Sequence, residues 1–202
     1  MKIRRFFIVA SCLFGYSSAA LAQEAVKSIN TYGNQVENYA NEYPQSNRYF
    51  ANVARQGKIQ WCEFKNQYKR SSPVPYFQQA NASLQKGKTV YVYCVSYGVN
   101  KDGRWDDFTS YVFRPDGRLS RAWSARIVRK NNVPFVLVVQ KWFFNSRGHT
   151  IRATRDVFDA KTGTGKLTRL PLARFQEVLV PIYRSVGDLP FYRLLKQSKT
   201  KP

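Results

Sequence analysis

Runs of alternating apolar and polar residues, separated by short polar turns, constrain the fold of this chain more than any other sequence feature. A period of two is the pattern of a β-strand with one buried and one exposed face. Turn residues such as Pro115-Asp116-Gly117 separate the runs, and the short connections predict an antiparallel meander. The runs predicted as strands are residues 58–65, 89–97, 107–114, 118–129, 133–144 and 149–158.

Helical periodicity appears at both ends of the chain. From residue 24 to 43, apolar residues recur at steps of three and four, which predicts a helix that ends before Pro44. A short helix is predicted over residues 46–55, and a C-terminal helix interrupted by Pro181 over residues 170–195. The predicted fold is therefore α+β: an N-terminal helix, a curved antiparallel β-sheet meander of about five to six strands, and a C-terminal helical segment. In element order alone, it resembles the cone-shaped domains of the nuclear-transport-factor-2 type.

The first 22 residues have the organisation of an export signal. A positively charged start precedes an apolar stretch over residues 6–16, and Ala20-Leu21-Ala22 is a small-x-small cleavage site. We therefore expect a periplasmic or secreted protein, cleaved after Ala22. The alternative is a lipoprotein anchored at Cys12, which ends a lipobox-like Val9-Ala10-Ser11-Cys12.

The mature chain is predicted to be a single α+β domain over residues 23–195, followed by a basic, flexible tail over residues 196–202. After the signal, no stretch approaches the roughly 20 apolar residues that a membrane-spanning helix requires. The mature chain is therefore predicted to have no transmembrane segment.

Two cysteines remain after the predicted cleavage, Cys62 and Cys94, and each lies in a predicted strand. An even number of cysteines in an exported protein favours a disulfide. A bridge between these two would close a loop of about 30 residues and stabilise the fold by about 3–4 kcal/mol. The alternative, a nucleophilic cysteine with a histidine base, would have to use His149, the single histidine of the chain.

The chain is strongly basic. It has 33 Lys and Arg residues against 12 Asp and Glu, a formal net charge of +21, and between residues 114 and 155 the only acidic residue is Asp116. A field of this size attracts polyanions and makes their binding salt-dependent. The expected partners are anionic envelope polymers, lipid head groups or an acidic protein, and nucleic acid is less favoured. The alternative is that the charge only keeps the protein soluble.

The alternation also predicts a candidate anion-binding surface. Arg118, Arg126 and Arg152 fall on the polar parity of their strands, and they share one surface if these parities share a face of the sheet. The alternative is an ordinary solvated face of a half-buried sheet. The run over residues 133–144 is apolar on both parities, which predicts a central strand covered on both faces.

Arg121 and Arg155 fall on the apolar parity of their strands. A buried guanidinium requires a partner, and the carboxylates of Glu63, Asp106 and Asp107 are the expected ones.

Motifs for catalysis, metals and cofactors fail on particular residues. The segment over residues 161–166 resembles a phosphate-binding loop, but Ala160 and Leu167 stand where that motif needs Gly and Ser or Thr. A single histidine and two cysteines that are expected to pair do not make a zinc site. No catalytic residue, metal ligand or cofactor is therefore predicted.

These features together predict an exported, non-enzymatic, basic binding or assembly protein that interacts with anionic envelope components or an acidic protein partner. A subunit of an envelope or secretion complex is one form of that role. The alternative is a hydrolase of an envelope substrate with an unrecognised site, which would require a pocket containing His149 or two Asp residues.

Overall fold

The computed structural model describes residues 4–55, 58–66, 76–100, 103–130, 133–162 and 181–197. Several sequence predictions fall outside these ranges: the loop around Pro73 and Pro75, the turn at Asn131-Asn132, the C-terminal helix over residues 170–180, and the tail beyond residue 197.

The N-terminal element is a long helix, α1 (Arg4–Glu42). It ends just before Tyr43-Pro44, as the sequence predicts, because proline cannot continue a helix. A short 3-10 turn (Pro44–Ser46) then leads into the first strand. The helix also includes most of the predicted signal, so residues 4–42 form one continuous element.

Eight strands form one antiparallel sheet, so the prediction of five to six strands is too low. Their bounds are β1 (Asn47–Arg55), β2 (Lys58–Phe64), β3 (Tyr76–Gln85), β4 (Lys88–Asn100), β5 (Gly103–Phe113), β6 (Leu119–Lys130), β7 (Val133–Phe144) and β8 (Thr150–Asp159). The strand order is β2-β1-β3-β4-β5-β6-β7-β8, a meander in which only β1 and β2 exchange places. The sheet is open and uncurled, whereas the sequence predicts a curved one.

The two additional strands are β1 and β3. The sequence predicts a helix where β1 lies, but β1 pairs with β2 on one side and β3 on the other, and these pairings outweigh its local propensity. β3 has little of the β-branched character that marks strands, because Ala80 and Ala82 are buried in an aromatic-rich core where small side chains fit. Neither strand carries a strong local signal.

One prediction about strand position is wrong. β7 is the seventh of eight strands and lies next to the edge strand β8, whereas its apolar character on both parities predicts a central strand. It is apolar on both sides because α1 and the C-terminal segment both cover this part of the sheet: Phe143 contacts α1, and Trp142 contacts the core on the other face.

Helix α1 covers one face of the sheet, which we call the helix face. Most of the predicted apolar stripe of α1 faces the sheet: Val26, Ile29 and Val36 are buried, and Ala40 joins them. Tyr43, its last predicted member, lies beyond the end of the helix and is 45% exposed. Two tyrosines of α1 add hydrogen bonds to strand ends: Tyr32 Oη donates to the Phe113 carbonyl at 2.8 Å, and Tyr39 Oη to the Leu84 carbonyl at 3.2 Å. The buried apolar side chains of this interface are Val26, Ile29, Val36, Val90, Val112 and Phe143.

The C-terminal segment over residues 181–197 covers the opposite face, which we call the segment face. It contains a 3-10 turn (Val186–Asp188) and a short helix, α2 (Tyr192–Lys196). Phe191 stacks on Phe50 of β1 with ring centroids 4.5 Å apart, and Tyr111 Oη donates to the Pro181 carbonyl at 2.7 Å. The largest apolar core therefore lies between this segment and the sheet.

Among the described residues, no helix has both the length and the apolar character needed to cross a membrane.

Candidate functional site

The structure does not bring the three predicted anion-binding arginines together. Arg126 lies on the segment face of β6. Arg152 is exposed on β8 and pairs with Phe143, whose side chain lies on the helix face. Paired residues share a face, so Arg152 lies on the helix face and Arg126 on the segment face. Arg118 lies at the end of the turn between β5 and β6, with its side chain 58% exposed. The register of the β6–β7 and β7–β8 ladders places Arg126 and Arg152 on opposite faces, and a register shift beside Leu119 makes simple parity a poor guide for Arg118.

Arg126 already has a carboxylate partner. Its Nε and Nη2 donate to the two carboxylate oxygens of Asp107 at 2.5 and 2.6 Å, and both side chains are largely buried. Its guanidinium also lies 4.5 Å from the ring centroid of Trp105. Because the pair is neutral and bidentate, Arg126 is not an open anion site.

Arg118 lies beside Arg147 and Arg184, which the sequence does not indicate as anion-binding residues. Arg118 Nη1 donates to the Ser146 carbonyl at 3.0 Å, and Arg184 Nη1 donates to the Gly148 carbonyl at 3.1 Å. Both carbonyls belong to the turn between β7 and β8, and Arg147 is exposed in that same turn. We call Arg118, Arg147 and Arg184 the arginine patch.

The arginine patch belongs to a strongly cationic end of the molecule. Three strand turns (residues 85–88, 114–118 and 145–149) and residues 184–196 meet there, and together they contain eight Lys or Arg residues against Asp116 and Asp188. Both carboxylates accept backbone hydrogen bonds, Asp116 from Arg118 N–H at 2.9 Å and Asp188 from Ser185 N–H at 2.9 Å. Asp116 Oδ2 also lies 4.0 Å from Arg118 Nε, in a long ion pair between two exposed side chains. Positive charge therefore dominates this end.

Arg114 is a half-buried residue that stabilises the same end of the sheet. Its Nη1 and Nη2 donate to the carbonyls of Leu119 and Phe144 at 2.8 and 2.6 Å, so it connects β5, β6 and β7. Burial lowers the pKa of Arg114 from its ordinary value, and the nearby Asp116 carboxylate opposes that shift. Arg114 therefore acts as a structural connection at this end.

Arg121 is buried, but its carboxylate partner comes from α1. Arg121 Nη2 lies 2.7 Å from Glu37 Oε1, and Nη1 donates to the Oδ1 atoms of Asn30 and Asn34 at 3.2 and 3.1 Å. The expected pairing with Glu63, Asp106 or Asp107 is therefore wrong for Arg121.

The other expected partners are also used differently. Glu63 pairs with Arg48 at 2.6 Å, and Arg48 in turn donates to the Leu194 and Leu195 carbonyls of the C-terminal segment. Arg155 lies opposite Gln140, and its Nε and Nη2 are buried without a hydrogen-bond partner.

The predicted disulfide is absent, and both thiols are free. Cys62 pairs with Ala51, and the same row of the sheet continues through Gln79 to Val95 on β4. Cys94 is the neighbour of Val95 along β4, so the two cysteines point to opposite faces of the sheet. They are also three strand spacings apart, about 14 Å at roughly 4.8 Å per spacing. A disulfide requires Cα atoms within about 7 Å.

A cleft of about 220 Å³ lies on the segment face, between the middle of the sheet and the C-terminal segment. Its lining is aromatic and neutral-polar, and within the described part of the chain the Asp107–Arg126 pair is its only charged part. The lining side chains are Trp61, Gln78, Cys94, Ser96, Trp105, Asp107, Thr109, Tyr111, Arg126, Pro181, Tyr183, Pro190 and Phe191.

The thiol of this cleft is poorly suited to nucleophilic attack. Burial raises the pKa of the Cys94 thiol to about 12, so the thiol stays protonated near neutral pH and is a poor nucleophile. His149 is exposed at the turn between β7 and β8 and does not line the cleft. Among the described residues, no group of three His, Cys, Asp or Glu side chains is placed to hold a metal ion.

Part of the arginine patch is detectable in the sequence. In a meander, alternate turns lie at the same end of the sheet, so the turns after β5 and β7 bring Arg118 and Arg147 to one end. Arg184 has no such signal, because its position depends on how the C-terminal segment folds back. This chain matches no protein-family model, no curated protein and no solved structure.

Proposed function

We propose that the protein is an exported, non-enzymatic binding or assembly protein, and that the arginine patch holds an anionic component of the cell envelope. The observation that carries the proposal is the convergence of three arginines from separate parts of the chain on one turn.

The arginine patch suits phosphate or carboxylate groups. Arg118 and Arg184 each use one N–H to fix the side chain on a turn carbonyl, and a guanidinium has five N–H donors in a rigid fork. The remaining donors can bind an anion bidentately. Prior fixation of the side chains lowers the conformational entropy that binding would cost.

Export is compatible with the way α1 is attached. Residues 20–25 are exposed, with Leu21 66% exposed, and the first buried side chain among the described ones is Val26. Cleavage after Ala22 would therefore leave the interface between α1 and the sheet intact.

The test is binding of the mature chain, residues 23–202, to vesicles with and without phosphatidylglycerol. Membrane attraction is about 1 kcal/mol per basic residue near the surface, so R118Q/R147Q/R184Q should weaken binding by about two orders of magnitude at low salt. The matched control is K58Q/R152Q/K161Q, which removes the same charge at exposed positions outside the patch.

Retention of binding by the control variant supports a local site. Equal losses in both variants would show that net charge alone is responsible and would refute the patch. Binding that needs an acidic envelope protein and ignores the lipid would favour the assembly form of the proposal, provided that the same three arginines are required.

A further inference from the structure

We propose that the cleft on the segment face is a second binding site, specific for an uncharged, hydroxyl-rich ring such as a pyranose sugar. The site is separate from the arginine patch, and it takes a different class of ligand.

The cleft has aromatic walls held in fixed orientations. The indole of Trp105 lies directly over Gly98, where any Cβ would overlap the ring, so glycine allows Trp105 to lie flat against β4. Trp61 and Phe191 contact each other, with ring centroids 5.0 Å apart. The other face of Trp105 lies under the Arg126 guanidinium, whereas Trp61 is half-buried and keeps part of its surface available. Flat aromatic surfaces of this kind suit the C–H face of a ring.

The polar groups of the cleft come as matched donors and acceptors. Asp107 supplies acceptors and Arg126 supplies donors within one hydrogen-bonded pair, and Gln78 Nε2 donates to Ser96 Oγ at 3.3 Å. A hydroxyl group both donates and accepts, so neighbouring hydroxyls can bind across such a pair. Thr109 adds a second aliphatic hydroxyl to the lining, beside that of Ser96.

Charge and size narrow the ligand class. Among the described residues, the charged groups of the lining are Asp107 and Arg126, which pair with each other, so a charged ligand would lose hydration there without a net countercharge. The volume of about 220 Å³ is below the roughly 300–1,000 Å³ of sites for drug-sized ligands, which favours one ring or two.

The experiment uses residues 23–202 and three probes: methyl β-D-glucopyranoside, N-acetylglucosamine and glucuronate. Saturation-transfer NMR and quenching of tryptophan fluorescence report binding. We expect one of the neutral sugars to bind with a dissociation constant in the millimolar range, at least tenfold tighter than glucuronate.

Matched tryptophan variants locate the site. W61F should weaken sugar binding about tenfold, whereas W123F, on the other face of the sheet, should leave it unchanged. The melting temperature of each variant identifies any loss of folding. R126M, which leaves Asp107 without its partner, should also abolish sugar binding.

Failure of both neutral sugars to bind at 50 mM, or tighter binding of glucuronate, would overturn the inference. Equal weakening by W61F and W123F would place the binding outside the cleft and overturn it as well. R118Q/R147Q/R184Q should bind sugar normally, so this proposal and the proposed function can fail independently.

Discussion

At the scale of single residues, Arg121 is the side chain that most directly joins the two layers of the fold. It extends from β6 into α1, where Glu37 and two asparagines bind its guanidinium. Gly33 makes this position possible, because a Cβ there would overlap the Arg121 guanidinium. A residue that weakens an isolated helix is thus needed for the helix to dock.

Gly33→Ala is therefore expected to destabilise the protein. Alanine improves helix propensity by about 1 kcal/mol, but displacing a buried, paired guanidinium costs about 3 kcal/mol, so we expect a net loss of about 2 kcal/mol. Urea denaturation followed by circular dichroism measures the change. In an Arg121→Met background the same substitution should be neutral or stabilising, and stabilisation in the wild-type background would contradict this account.

At the scale of elements, α1 has two parts with different roles. Described side chains before Val26 are exposed, whereas Val26, Ile29, Val36 and Ala40 are buried against the helix face. The part that holds the sheet is therefore the part that remains after the predicted cleavage.

Two truncations separate these roles. A chain beginning at residue 23 should match the full chain in stability within about 0.5 kcal/mol, since it loses no described buried contact. A chain beginning at residue 43 should lose at least about 4 kcal/mol, because it exposes the apolar helix face and leaves Arg121 without Glu37. The urea midpoints of the three chains measure these differences in stability. An unchanged midpoint for the shortest chain would disprove the assigned role of α1.

At the scale of the whole molecule, the fold holds several neutral groups that the unfolded chain would ionise in alkali. Burial raises the pKa of Cys94 to about 12, and burial also raises the pKa values of Tyr32, Tyr91 and Tyr93. Above the pKa of the unfolded thiol, the folded state keeps a proton that the unfolded state has lost. The free energy of unfolding therefore falls as pH rises.

For Cys94 this loss begins near pH 9 and continues to about pH 12. Cys94→Ala should make the decline in unfolding free energy less steep, by at most about 1.4 kcal/mol per pH unit for one proton. Urea titrations under reducing conditions between pH 8 and 11 test this. Val95→Ala serves as the control, because it removes buried volume without a titrating group, and an equal decline for both variants would refute the contribution of Cys94.

Several features of the site could be predicted from local pattern, and others could not. The turns at Pro115–Gly117 and Asn145–Gly148 could be predicted from local sequence. Their positions in the meander also predict the end of the sheet that carries Arg118 and Arg147. The opposite faces of Arg126 and Arg152 depend on the register of β6, β7 and β8, which alternation within each strand does not reveal. The partner of Arg121 belongs to a helix 84 residues earlier in the chain.

The sequence by itself determined the class of the fold, the end and apolar stripe of α1, six of the eight strands and the basic character of the chain. These follow from periodicity, proline and charge, which act over a few residues. Only the tertiary structure decided that residues 47–55 pair as a strand, that Cys62 and Cys94 lie on opposite faces, and that Arg184 joins Arg118. Those outcomes depend on contacts between distant segments, because pairing and packing there outweigh the weak local preferences of the residues involved.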